Sequence, residues 1–201
     1  MKKRFPKFAQ VSAQNKMINT ADKFGNNGIK KQQGTTRVIY DTLMIDGSTK
    51  NFNFFENVQS RAFPFTNLTE NKLNVGETMS IERAYFTLIA LNTATGLITS
   101  ITPLDSDIKT MLGEFTIEQA NTVIAKQIPV LSMSPDFNKS ADFDSDWSFD
   151  FDTLLTLQPL LEFKVPARFS NNLEVGKDNE TAYIRLTLEG AGAIISPRGT
   201  F

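Results

Sequence analysis

The sequence predicts an all-β fold, a sandwich or barrel behind a basic N-terminal arm, and three observations predict it. From residue 37 onward apolar and polar side chains alternate with a period of two, the spacing at which neighbours along a strand face opposite ways. The alternating runs are separated by clusters of Asp, Asn, Gly, Ser and Pro, the residues that supply turn geometry. Phenylalanine accounts for 17 of the 201 residues, and it brings large apolar area with no polar handle, which suits a sandwich core or a subunit contact.

Charge divides the chain before any strand is assigned. Residues 1–37 hold nine basic side chains (Lys2, Lys3, Arg4, Lys7, Lys16, Lys23, Lys30, Lys31 and Arg37) against one acid, Asp22, a net of +8. The remainder holds twelve basic and twenty-one acidic residues, a net of −9. Residues 1–36 are rich in Lys, Gln, Asn and Gly and poor in Val, Ile and Leu, so they bury too little apolar surface to offset the entropy of ordering. They read as an extended or disordered arm, and residues 37–201 as the folded body. The arm is either a solvated tail or a segment ordered by a polyanion: nucleic acid, an anionic lipid surface or the acidic face of a neighbour. Its Phe5, Phe8 and Phe24 suit a neighbour's groove or a lipid interface.

Along the body, strands are predicted over 37–45, 51–55, 79–91, 97–101, 113–120, 122–131, 161–169, 181–189 and 193–196, with a helical turn or two as an alternative within 79–91 and 104–128. In 161–169, Leu161, Phe163, Val165, Ala167 and Phe169 share one face. Pro166 lacks an N–H, which predicts an edge strand or a bulge there. In 181–189, Ala182, Ile184, Leu186 and Leu188 face inward and Tyr183, Arg185, Thr187 and Glu189 outward. The Gly190–Gly192 segment reads as a bulge or bend between two strands, since it opens no helix. Turns are expected at Asp46-Gly47-Ser48, Asn92–Gly96, Ser134-Pro135-Asp136, Asn171-Asn172 and Gly176–Asn179.

The stretch "DFDSDWSFDFD" (142–152) places Asp on even and aromatic residues mostly on odd positions. A calcium loop of the EF-hand type needs Gly at its sixth position and Glu at its twelfth. Counting from Asp142 those positions hold Trp147 and Thr153, so a strand with an inward face of Phe149, Phe151, Thr153, Leu155 and Leu157 is the better reading. A weak calcium site at Asp142, Asp144 and Asp146 is the alternative.

Function classes narrow by absence. The chain has no Cys and no His, which removes thiolate chemistry, disulfides, the usual zinc ligands and any Ser-His-Asp or Cys-His arrangement. Carboxylate-only hydrolysis survives, but Glu114/Glu118 and Glu77/Glu82 have no catalytic spacing and read as solvated faces. No catalytic, cofactor-binding or metal residue is predicted, and the chain is not expected to be an enzyme. Asn67-Leu68-Thr69 matches a glycosylation sequon. No apolar segment of signal-peptide type follows the basic N-terminus, so synthesis in a cytoplasm is expected.

The stretches "NFFENVQSRAFPFTNLTENKLNVGETMSIERAYFTLI" (53–89) and "LLEFKVPARFSNNLEVGKDNETAYIRLTLEGAGAIISPRGTF" (160–201) resemble capsid proteins of tailless, membrane-containing icosahedral bacteriophages, the finnlakevirus-like group. The resemblance implies a jelly roll upright in a virion shell, single in a body of this length although a compact double one is open. It further implies homo-oligomeric capsomers, in a major, minor or penton role, with the arm facing inward toward an internal membrane or genome through Lys2, Lys3, Arg4, Lys7, Lys30, Lys31 and Arg37. The Phe-rich segments 52–65 and 143–151 are then candidate lateral contacts, the plain alternative being sandwich core. A glycan- or receptor-binding sandwich, such as a spike or fibre head, is the rival reading.

Overall fold

The computed structural model describes residues 32–103, 112–133, 147–173 and 179–195. Among the described residues, nine strands form two antiparallel sheets: β1 (Gln32–Met44), β2 (Asn51–Phe54), β3 (Glu77–Asn92), β4 (Ile98–Pro103), β5 (Gly113–Gln119), β6 (Thr122–Pro129), β7 (Phe149–Leu157), β8 (Phe163–Phe169) and β9 (Glu180–Ile195). One sheet runs β1-β9-β3, with β4 and β7 both pairing β3, and the other runs β2-β8-β5-β6. Along the far edge of β3, β7 takes Met79–Ala84 and β4 takes Thr87–Leu91. The described residues make one β-sandwich.

Phenylalanine joins the layers. Phe86 of β3 meets Phe54 of β2 at 5.7 Å, Phe115 of β5 at 5.7 Å and Phe169 of β8 at 6.0 Å, all tilted or edge-on, the geometry that aligns ring edges with ring faces. Ile39, Ile81, Ile184 and Leu157 are fully buried around them. Each such side chain contributes about 1.5–3 kcal/mol on burial. Of the Phe residues considered as lateral contacts, Phe52, Phe54, Phe55 and Phe151 are core, while Phe63 is 83% exposed.

Three expectations need correction, and one alternative falls away. The proline of β8 is not at an edge, because β8 lies between β2 and β5. Pairing with β5 holds at Phe115↔Ala167 and Glu118↔Lys164 and lapses between them, opposite Pro166. The missing N–H therefore falls in a gap of the ladder. The Gly190–Gly192 segment is no bend: β9 runs unbroken and pairs β1 residue for residue. The irregularity lies across from it in β3, where the register shifts between Ile81 and Arg83. A Cβ on Gly190 would collide with the Ser80 carbonyl, so glycine there lets the two backbones approach. No helical turn interrupts 79–91, which is strand throughout. In β7, Thr153 is exposed rather than inward, because β7 bulges between Asp150 and Leu155 where it passes that same irregularity in β3.

The ladder also begins before the period-two pattern does. Residues 32–36 pair with 191–195 of β9, and Arg37 lies within β1 with its guanidinium 3.1 Å from Glu77. Arms and turns that fall in 1–31, 134–146 and 174–178, including the Asp142/Asp144/Asp146 question, lie outside the described residues.

Turn chemistry is as the sequence writes it. Asp46 accepts from the N–H groups of Ser48 (2.9 Å) and Thr49 (2.8 Å) and from the Thr49 hydroxyl, while Gly47 takes φ +76°. Asn92 likewise accepts from Ala94 and Thr95. The Ser48 N–H, followed by the Thr49 donors, holds the Asp46 carboxyl down to about 2 from its ordinary 3.8. Because the folded value is the lower one, this turn's contribution is fully present above about pH 4 and lost as the pH falls through about 2. A carboxyl ¹³C titration of the folded protein should find the Asp46 midpoint near 2, and a midpoint near 3.8 would show these bonds absent in solution.

Candidate interaction surfaces

The two edges of the β1-β9-β3 sheet are treated differently. The free edge of β1 is closed by the segment after β2. Thr66 bridges Asp41, the Thr66 hydroxyl donates to the Tyr40 carbonyl, and the Asn67 amide both donates to the Val38 carbonyl (2.7 Å) and accepts from the Tyr40 N–H (3.0 Å). Asn67 thus imitates one rung of a neighbouring strand. Its sequon amide is engaged in the fold.

What anchors that segment is Asp41, fully buried. Its carboxylate receives the Phe55 N–H at 2.7 Å, the Thr42 N–H at 3.1 Å, and Nε and Nη2 of Arg61 at 2.9 and 2.8 Å. Arg61 also donates to the Glu56 carbonyl. Burial pushes the Asp41 carboxyl above its ordinary value, and the Phe55 N–H and Arg61 oppose that push. Phe55 and Asn57 both take left-handed φ, +62° and +51°, so the chain turns sharply to wrap the carboxylate. Nothing in the period-two pattern marks Asp41; it sits on the inward side only as one polar residue within "VIYDTLMI".

On the other side, among the described residues, nothing pairs with the outer edge of β4. In β4 no residue from Ile98 to Thr102 is buried, and Ile98 and Ile101 are 58% and 60% exposed, with Leu97 beside them at 68%. Residues 92–104 carry no charge.

At the end of the sandwich where β1, β3, β6 and β8 begin and β2, β5 and β7 finish, a cleft of about 210 Å³ lies between Glu56, Glu118, Glu162, Asn71, Asn121 and Lys164. Glu118 pairs with Lys164 at 3.5 Å, and nearby Glu70 with Lys72 at 2.9 Å. Glu114 pairs with Arg168 across β5 and β8, so Glu114 and Glu118 are cross-strand ion-pair partners. Beside the cleft, a bridge from Leu73 to Pro159 and the Leu160 N–H donated to the Leu73 carbonyl bring 159–161 against 73–75. There Val75, Leu160 and Leu161 are exposed by 79%, 55% and 37%.

Among the described residues no group of three or more acidic side chains is arranged to hold a metal, and no helix is long and apolar enough to cross a membrane. Tyr40, Tyr85, Tyr183 and Trp147 are all half-buried, with Tyr40 stacked under the Arg185 guanidinium at 4.3 Å. No family model and no curated protein matches the chain.

Proposed function

We propose that this chain is a structural subunit of a bacteriophage virion shell: a single jelly roll that makes lateral contacts with its copies and carries a basic arm toward the shell interior. The observation that carries the reading is the pair of strand orders. With β4 set aside, they are β1-β9-β3-β7 and β2-β8-β5-β6, and the chain alternates between the sheets, apart from the β5–β6 hairpin, as two interleaved Greek keys require. Jelly rolls of this wiring serve in viral capsids and in lectins. Half-burial of the described Tyr and Trp side chains favours the shell over a glycan platform. The open, uncharged edge of β4 supplies a surface for self-association, and the +8 and −9 halves supply attraction between arm and polyanion or neighbour.

Sedimentation of the full chain over a range of concentration and salt tests this. Discrete oligomers or larger assemblies are expected at low salt, with the arm-dependent part weakened at high salt, where attraction between exposed charges is screened within about 3 Å at 1 M. Replacing Lys2, Lys3, Lys7, Lys30 and Lys31 with Gln should give the same loss at low salt, together with reduced co-pelleting on anionic vesicles or nucleic acid. A chain that remains monomeric at every concentration sinks the reading.

A further inference from the structure

The end of the sandwich that bears the glutamate cleft is also the end from which the arm departs. Gln32, the first residue of β1, pairs with Ile195, and Ile194 pairs with Glu77 at the start of β3. Two residues before Glu77 stands exposed Val75, next to Leu160 and Leu161. At the same end of the second sheet, Ala120 donates its N–H to the Glu162 carbonyl, and Phe163 donates to Asn71. Arm origin, apolar patch and cleft thus share one end of the molecule.

Their chemistry is complementary. Residues 1–31 carry eight basic side chains and one acid, with Phe5 and Phe8 set among Lys2, Lys3, Arg4 and Lys7. The end surface offers exposed Val75, Leu160 and Leu161 beside the cleft that Glu56 and Glu162 line. Neither glutamate has a cationic side chain within ion-pair distance among the described residues, although Lys72, bonded to Glu70, also feels the Glu162 charge. Glu118 and Glu70 are shared with Lys164 and Lys72, so the surface is left net acidic. Reach is no obstacle: 31 residues span up to roughly 100 Å when extended, and opposed sheets lie only about 10 Å apart. Tethering also gives the arm an effective concentration at this surface on the order of millimolar.

We propose that in the free subunit residues 1–31 seat on this end of their own chain, with aromatic side chains on the Val75–Leu160–Leu161 patch and lysines against Glu56 and Glu162. The arm then stays on the subunit until a polyanion or a neighbouring subunit displaces it. The inference does not depend on the shell reading. A subunit can hold its arm without building a shell, and sedimentation decides the one while the following experiment decides the other.

The chain has no native cysteine, so Ser12→Cys in the full-length protein accepts a single nitroxide. In dilute ¹⁵N-labelled protein at low salt, the amide signals of Glu56, Ala120, Asn121, Leu160 and Glu162 should broaden several-fold more than those of Gly47 and Gly96 at the opposite end. In 1 M salt, and in Glu56→Gln/Glu162→Gln, the difference should shrink toward zero. A mixture of spin-labelled ¹⁴N chain with unlabelled ¹⁵N chain should show no broadening. Equal broadening at the two ends, broadening at neither, or broadening unchanged in the glutamine variant each overturns the proposal. Broadening in the mixed sample overturns it as well, by assigning the surface to the arm of a second copy.

Discussion

Leu186→Asp should leave the protein unfolded at room temperature. Leu186 is fully buried in β9, the central strand that pairs β1 on one side and β3 on the other. Its register places it opposite Asp41 and Phe86, with the Phe86 ring cluster beneath. An unpaired carboxylate there costs several kcal/mol even after its pKa rises to neutralise it, comparable with the whole stability of about 5–15 kcal/mol. Asn53→Asp introduces the same charge on the exposed face of β2 and should stay within about 0.5 kcal/mol of the parent. Circular dichroism and urea denaturation compare the two, and a Leu186→Asp protein that melts like Asn53→Asp would mean the inward face of β9 is assigned wrongly.

The neighbouring position shows where sequence reasoning stops. Alternation assigns Thr187 to the outward face, and it does face outward, between Tyr40 of β1 and Tyr85 of β3. Yet it is only 4% exposed. In the middle of a sheet, outward is not the same as solvated: two tyrosines flanking a small residue shut out water. Thr187→Asp is therefore also a damaging substitution. Period two reports direction, and burial depends on cross-strand neighbours that a single strand cannot reveal.

The same distinction runs through the rest of the fold. Strand existence was legible because half-buried antiparallel strands repeat their pattern locally. Sheet order was not, since it depends on pairings such as Gln32↔Ile195 and Glu77↔Ile194 between distant parts of the chain. Pro166 illustrates the cost of a local rule: it demands a missing hydrogen bond, which an interior strand satisfies by a lapse in one ladder. The surfaces were legible in kind only. Segregated charge could be counted from composition, but the convergence of Glu56, Glu118 and Glu162 from three separate segments needed the topology. Asp41 was missed outright, because one buried carboxylate leaves no periodic signature.

That carboxylate gives the other large expected effect. Arg61→Met should destabilise the fold by about 3–5 kcal/mol, since it removes one partner of a buried pair and strands the other. Two of the four donors to Asp41 would go, leaving the N–H groups of Phe55 and Thr42. The Glu56 carbonyl would lose a donor as well. The damage should centre on residues 55–68, whose left-handed turns at Phe55 and Asn57 and whose contacts along the β1 edge hang on this carboxylate. Hydrogen exchange should therefore find the Tyr40 N–H, held by Asn67, less protected. Asp41→Leu/Arg61→Met removes both charges, so its loss should be smaller than the sum of the two single losses, with the difference measured as a coupling energy. The pH supplies a further check on the charge. Burial already raises the Asp41 carboxyl and Arg61 holds it down, so without Arg61 it rises further. A folded-state value above the unfolded one makes the protonated form the favoured one in the fold, so the Arg61→Met deficit should shrink as the pH is lowered and grow as it is raised. A deficit under about 1 kcal/mol, or one that does not change with pH, would show that the pair is dispensable and that backbone bonds alone hold the 55–68 segment on the sheet.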